Sequence, residues 1–133
     1  QIKTRLMPKA PCPCGSSLTY DDCCALIHAD IAKALRAEQL MRSRYSAFVL
    51  ENEDYLLTSW HPDTRPSNLD FDSQSKWLGL KIKDTVAGLE DDKEGQVSFV
   101  ARYKVSGKAQ RIVENSHFIK LDGIWQYHSA TDN

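Results

Sequence analysis

All four cysteines of this 133-residue chain fall inside "CPCGSSLTYDDCC", Cys12 to Cys24. Thiols that pack a core or staple distant segments are dispersed, because such contacts arise wherever the chain meets itself. Here the 109 residues after Cys24 contain none, so no disulfide can tie this stretch to the rest of the protein. Adjacent Cys23 and Cys24 can bridge each other only under strain. A local ligand cluster is the simpler chemistry, and zinc takes thiolates as tetrahedral ligands without redox complication. Pro13 restricts the backbone between Cys12 and Cys14, and Gly15-Ser16-Ser17 lets the chain bend so that its N–H groups point back at sulfur. Asp21 or Asp22 can begin a short helix that presents Cys23 and Cys24 in its first turn, where free N–H groups and the helix dipole favour thiolate. The spacing C-x-C-x(8)-C-C supports metal binding without fixing the ligand set. His28, four residues beyond Cys24, competes for the fourth position.

Outside this stretch the chemistry-bearing residues are sparser. His117 and His128 are expected to oppose each other on the last two strands, at a solvated or edge position, and His61, just before Pro62, to cap carbonyls at a helix end. No nucleophile, base and orienting group fall into a recognisable set, and there is neither a glycine-rich phosphate loop nor a helical H-E-x-x-H. Enzymatic activity therefore has no positive support beyond a possible pocket, and a non-enzymatic role is expected.

These groups must be positioned by the elements that follow. In "ADIAKALRAEQLMRSRYSAFVLEN", residues 29–52, Ala34, Ala37, Met41, Tyr45 and Phe48 recur at three- and four-residue steps, predicting one amphipathic helix. With Met41 at the centre of its buried stripe, Arg44 lies near the edge, partly buried, and Arg42 well to the side. "EDYLLTSWH" predicts a second, short helix stopped by Pro62, and residues 62–75 read as loop. From Lys76 the period changes to alternation in "KWLGLKIKDTV", "GQVSFVARYKV", "AQRIVENSHFIKL" and "IWQYHSA", which predicts an antiparallel meander. A two-residue turn at Asp122-Gly123 sets Leu121 against Ile124, Lys120 against Trp125 and Phe118 against Tyr127. One face then carries aromatic residues together with Glu114 and Ser116. Glu114 is costly there unless it meets a cation or donors, and Arg44, Arg102 or the Tyr45 hydroxyl are candidates. Helices first and a curved sheet after is an α+β plan with one sheet face covered.

Composition bounds the rest. At 15.1 kDa, 41% apolar and 26% charged, the chain has room for one compact domain plus a small metal-dependent appendage. No apolar run approaches the roughly 18 residues of a membrane-spanning helix, and "QIKTRLMPKAPCPCG" lacks the features of a signal peptide, so a cytoplasmic location with reduced thiols is expected. Residues 1–44 hold seven Lys/Arg against four Asp/Glu. That excess is too small for a committed nucleic-acid binder, and basic residues near the cysteines are not interleaved with aromatics.

The cysteine stretch resembles the SEC-C motif first recognised at the C-terminus of the SecA preprotein translocase, C-x-C-x-S-x(6)-C followed by His or Cys. Cys12, Cys14, Ser16, Cys23 and Cys24 match it. This resemblance favours Cys24 over His28 and implies one Zn²⁺ per chain held by Cys12, Cys14, Cys23 and Cys24. "LMRSRYSAF", "DYLLTSWHP", "WLGL", "FVARYK" and "DGIWQY" then follow in the order seen in YchJ-like bacterial proteins, whose function is uncharacterised. That resemblance implies a SEC-C segment over residues 1–28 and a nuclear transport factor 2-like, or cystatin-like, domain over residues 29–133, with helices packed in a bent antiparallel sheet. By analogy with SecA it implies a protein-interaction module or adaptor, with ribosome or preprotein as suggested partners. The alternative is an enzyme or small-molecule binder using the cavity beneath the sheet, with Arg44, Tyr45, Tyr55, Trp60, Trp77 and Glu114 as lining.

Overall fold

The computed structural model describes residues 10–72 and 74–132. The first nine residues of the expected SEC-C segment, which include most of the stretch read for a signal peptide, lie outside the described part. Three α-helices precede four strands: α1 (Cys24–Ala29), α2 (Ala37–Leu50), α3 (Glu53–Thr58), β1 (Ser75–Ala87), β2 (Glu94–Val105), β3 (Lys108–Leu121) and β4 (Ile124–Asp132). The strands pair as consecutive antiparallel neighbours in the order β1-β2-β3-β4, as the alternating pattern predicts. Among the described residues no helix is long and apolar enough to cross a membrane.

The single helix predicted over 29–52 is in fact broken before Ala37. Residues 24–29 are helical, Ile31–Lys33 form a 3-10 turn, Ala34 is extended, and α2 starts only at Ala37. Periodicity misses this break because tertiary partners make it. The Trp125 indole Nε1–H donates to the Leu35 carbonyl at 3.1 Å, and the Ala37 N–H donates to Gly88 O at 2.9 Å. Gln39 turns its side-chain oxygen back onto the N–H groups of Leu35 and Arg36, at 3.0 and 2.9 Å, and so fixes the helix start. Ala34 is still buried, but from the linker.

At the other end of α2, Glu51 is left-handed (φ 56°) and Asn52 donates its N–H to Ala47 O at 2.8 Å. The Asn52 side chain then caps α3 by accepting from Tyr55 N–H at 3.1 Å, so the two helices meet at a tight corner. The loop that follows is irregular, as expected, but its start is anchored: His61 N–H donates to Tyr127 O at 2.7 Å.

The sheet's inner face supplies Val97, Phe99, Ala101, Phe118 and Trp125, all buried against Leu40, Met41, Tyr45 and Leu56 of the helices. Its outer face is polar: Ser98, Asn115 and Gln96 form a hydrogen-bonded ladder at 3.0 and 2.7 Å. The β3–β4 hairpin has the expected register around Asp122-Gly123, whose positive φ values of 53° and 82° suit a type I′ turn. A bulge between His117 and Phe118 keeps Phe118 opposite Tyr127 but sets His117 opposite Ser129. Near the β1–β2 turn, a Cβ built on Gly95 would sit 2.4 Å from Gly88 Cα, so this crossing of backbones admits only glycine.

Candidate metal centre and adjoining cavity

The cysteine stretch folds as a knuckle. An isolated bridge pairs Pro11 with Thr19, and Cys12 N–H donates to Leu18 O at 2.9 Å. Gly15 (φ 80°) and Ser17 (φ 76°) carry the reversal between them. A 3-10 turn over Tyr20–Asp22, capped by Thr19, then delivers Cys23 to the base of α1 and Cys24 to its first position. All four sulfurs lie within 4.8 Å of one another. The Cys14–Cys23 and Cys23–Cys24 Sγ separations are 3.7 and 3.9 Å. A tetrahedral ion with sulfur at about 2.3 Å needs S···S edges of about 3.8 Å, so the thiols stand at the spacing such an ion requires. Ser16, the polar position of the motif, places its Oγ 3.1 Å from Cys23 Sγ.

Charge also asks for a cation. Hydrogen bonds from Cys14 and then Cys24 hold the Cys12 thiol well below the ordinary value, while the same kind of contact with Cys12 and Cys14 pushes Cys24 up. Cys23 is pushed up to about 11, first by burial. One thiolate thus forms at its neighbours' expense, and a bound dication is what would let all four ionise together.

The knuckle rests on the face of α2 turned away from the sheet. Arg42 Nη1 donates to Cys14 O at 2.7 Å while its Nε binds Glu38 at 3.0 Å, and Ser46 Oγ lies 3.5 Å from Cys12 Sγ. His28 is not part of the sulfur cluster. Its Nε2 lies 2.8 Å from Ser43 O, which can only accept, so Nε2 carries the proton and Nδ1 accepts from the Tyr20 hydroxyl at 2.7 Å. Burial, the largest influence, lowers its pKa, consistent with a neutral ring. His28 therefore ties α1 to α2. Tyr20, Arg42, Ser43 and Ser46 were not singled out for this role by the sequence. Ser43 and Ser46 at a three-residue step on the polar side of α2 were the available signal, and they look solvent-facing until the knuckle covers them.

Across α2 lies a cavity of about 250 Å³, and Arg44, Tyr45, Trp60, Trp77 and Glu114 all line it. Tyr55 does not. Its hydroxyl pairs with Ser43 Oγ and its ring packs 4.6 Å from His28, on the knuckle side. The Arg44 reading also needs correction: the side chain is fully buried, and it does not pair with Glu114. Its Nη1 donates to Leu56 O at 2.8 Å and to Ser59 Oγ at 2.6 Å, and its Cζ lies 4.9 and 4.5 Å from the rings of Trp60 and Tyr127. The corner between α2 and α3 delivers those neutral acceptors to Arg44 first. Ser59 and Tyr127 are the partners that periodicity could not supply.

His117 and His128 are parted by the bulge. His128 instead packs its ring 5.2 Å from His61, and with exposed Asp63 these donors lie within 4.8 Å. His61 caps no carbonyl; its Nδ1 accepts the Asp63 N–H at 3.1 Å. That bond engages the lone pair of Nδ1, which also lies 3.7 Å from Asp63 Oδ2, so as the trio stands Nδ1 is already occupied by Asp63.

Comparison with known proteins agrees with both halves of this picture. The family model described as YchJ, middle NTF2-like domain, matches residues 36–130, and the SEC-C motif model matches residues 9–26. A UPF0225 protein of Chromobacterium violaceum is 47% identical over 132 residues, covering 97% of this chain and 98% of that protein. One from Streptomyces coelicolor is 46% identical, covering 91% and 94%. Among solved structures, a SEC-C motif containing protein from Rhodopseudomonas palustris superposes with a TM-score of 0.81 at 33% identity, covering 92% of this chain and 98% of that one. Another from Psychrobacter arcticus gives 0.76 at 27% identity, covering 97% and 86%.

Proposed function

Because this chain belongs to the YchJ-like family, with a SEC-C motif ahead of an NTF2-like domain, we propose that it is a zinc-dependent protein-recognition module. The observation that carries this reading is the closed sulfur cluster. Four protein ligands fill a tetrahedral zinc and leave no position for water or substrate, which is the arrangement of structural rather than catalytic sites. What the metal would then fix is shape. Beside it, Leu18 (52% exposed) and Leu26 (47% exposed) flank a shallow groove that also includes Asp22, Ile27, Lys33, Gln39 and Arg42. An apolar floor with a mixed polar rim suits a peptide segment bearing apolar side chains. Residues 1–28 and 29–133 serve in this reading as the recognition unit and its carrier, acting in the cytoplasm. Ribosomal and preprotein partners are the first to test, on the SecA analogy alone.

The test has two parts. Metal analysis after native purification under reducing conditions should give one zinc per chain, and a chain with four freely titrating thiols and no stoichiometric metal overturns the metal assignment. Mild crosslinking in cells should then recover partners with the intact chain that are lost both in Cys23→Ser/Cys24→Ser and in Leu26→Asp, although Leu26→Asp keeps its metal. Partners that persist in both variants would refute recognition by the knuckle.

A further inference from the structure

The cavity on the other side of α2 is lined by a buried guanidinium, that of Arg44. Arg44 is 4% exposed, and among the described residues no carboxylate forms an ion pair with it. Its described hydrogen bonds all use Nη1, to the Leu56 carbonyl and the Ser59 hydroxyl. The rings of Trp60 and Tyr127 pack near the guanidinium and hold it in place without neutralising it. Burial lowers the Arg44 pKa to about 10, which leaves the group charged at neutral pH. A guanidinium carries five donors in a rigid fork, and with Nη1 engaged the Nε–Nη2 edge is the one that receives a carboxylate through two parallel bonds.

The surroundings narrow the ligand. Apart from Arg44, Glu114 and Ser116, the lining is apolar or aromatic, with Tyr45, Phe48, Trp77, Phe99 and Ile112 prominent, and the volume is about 250 Å³. That is below the roughly 300–1,000 Å³ of sites for drug-sized molecules, so one ring or a short chain fills it. We propose that this cavity binds a small apolar carboxylate, with the carboxylate group on the Nε–Nη2 edge of Arg44 and its apolar body against Phe48, Trp77 and Phe99. The proposal goes beyond the recognition role assigned to the knuckle and does not depend on it. A purely structural Arg44 would be satisfied by Leu56 and Ser59 and would not discriminate among added solutes.

Calorimetric titration of the full, metal-loaded chain decides the matter. The probes are phenylacetate, 3-phenylpropionate and hexanoate, each beside its neutral amide. At least one acid should bind saturably, with its amide weaker by about tenfold or more, because the amide forfeits the charge-assisted fork. Arg44→Lys keeps the charge but not the fork and should weaken the acid by a similar factor. Ile112→Trp fills the cavity, leaves the Arg44 side chain unaltered and should abolish binding while circular dichroism shows the fold intact. It keeps the test alive if the Arg44 variant fails to fold. Failure of all three acids to bind, equal binding of acid and amide, or unchanged binding by Ile112→Trp overturns the proposal.

Discussion

Chelating the metal should detach the knuckle and weaken the NTF2-like domain without unfolding it. The cysteines form their own cluster with Tyr20, separate from the main core. What the domain loses on detachment can be read from the contacts across that boundary. Ile27, 8% exposed, is the buried apolar residue that α1 contributes to the main core, and its burial is worth about 2 kcal/mol. Of the hydrogen bonds across the boundary, His28 to Ser43 O and Arg42 to Cys14 O add about 1 kcal/mol each, and the longer Cys12–Ser46 contact adds little. Ser43 and Ser46, which the knuckle covers, are rehydrated at little cost. The expected loss is thus about 3–5 kcal/mol, within the roughly 5–15 kcal/mol of an ordinary domain. Trp60, Trp77 and Trp125 all lie outside the knuckle, so tryptophan emission reports the core alone. Urea titrations with and without chelator should show a lower midpoint but a folded baseline in water, and hydrogen exchange should accelerate over residues 10–29 first. Global loss of the tryptophan signal on chelation would refute the separation of the two clusters. An unchanged midpoint would refute the energetic link through Ile27, His28 and Arg42.

Three further outcomes follow from single positions. Gly95→Ala forces a Cβ to within 2.4 Å of Gly88 backbone and should cost about 2–3 kcal/mol in a urea melt, whereas Gly107→Ala, with open space around it, should cost less despite its φ of 85°. Ser59→Ala removes a 2.6 Å acceptor from buried Arg44 and should cost about 1–3 kcal/mol; in a double-mutant cycle Arg44 should couple to Ser59, and additive losses would contradict the observed hydrogen bond. His28 is neutral and its folded pKa is depressed by burial, so its contribution is complete above the unfolded value of about 6.5 and is lost as pH falls below that, where only the unfolded ring takes up a proton; urea midpoints between pH 5.5 and 7.5 should fall less steeply with acid in His28→Gln than in the parent, and equal slopes would refute a neutral buried ring.

The sequence by itself determined the cysteine cluster, the meander and the register beside its last turn, because each depends on information local in the chain. Four cysteines within thirteen positions can converge without the help of distant residues. Alternation with period two dictates which side chains share a sheet face, and Asp122-Gly123 sets the pairing of Phe118 with Tyr127 through the turn alone. The face carrying Glu114 was legible for the same reason. Tertiary structure decided what the helices touch. α2 is covered on both sides, by the sheet and by the knuckle, so an apolar stripe reveals only one of its buried faces, and Ser43 and Ser46 are as buried as Leu40. The helix starts at Ala37 because Trp125 and Gly88, far along the chain, claim the backbone before it. Arg44 took Leu56 and Ser59 rather than Glu114 because a left-handed residue at Glu51 turns α3 back onto it, and His128 moved to His61 because one bulge shifted the strand register. Contacts of that kind depend on how separate elements meet in space, and no local period in the sequence encodes that meeting.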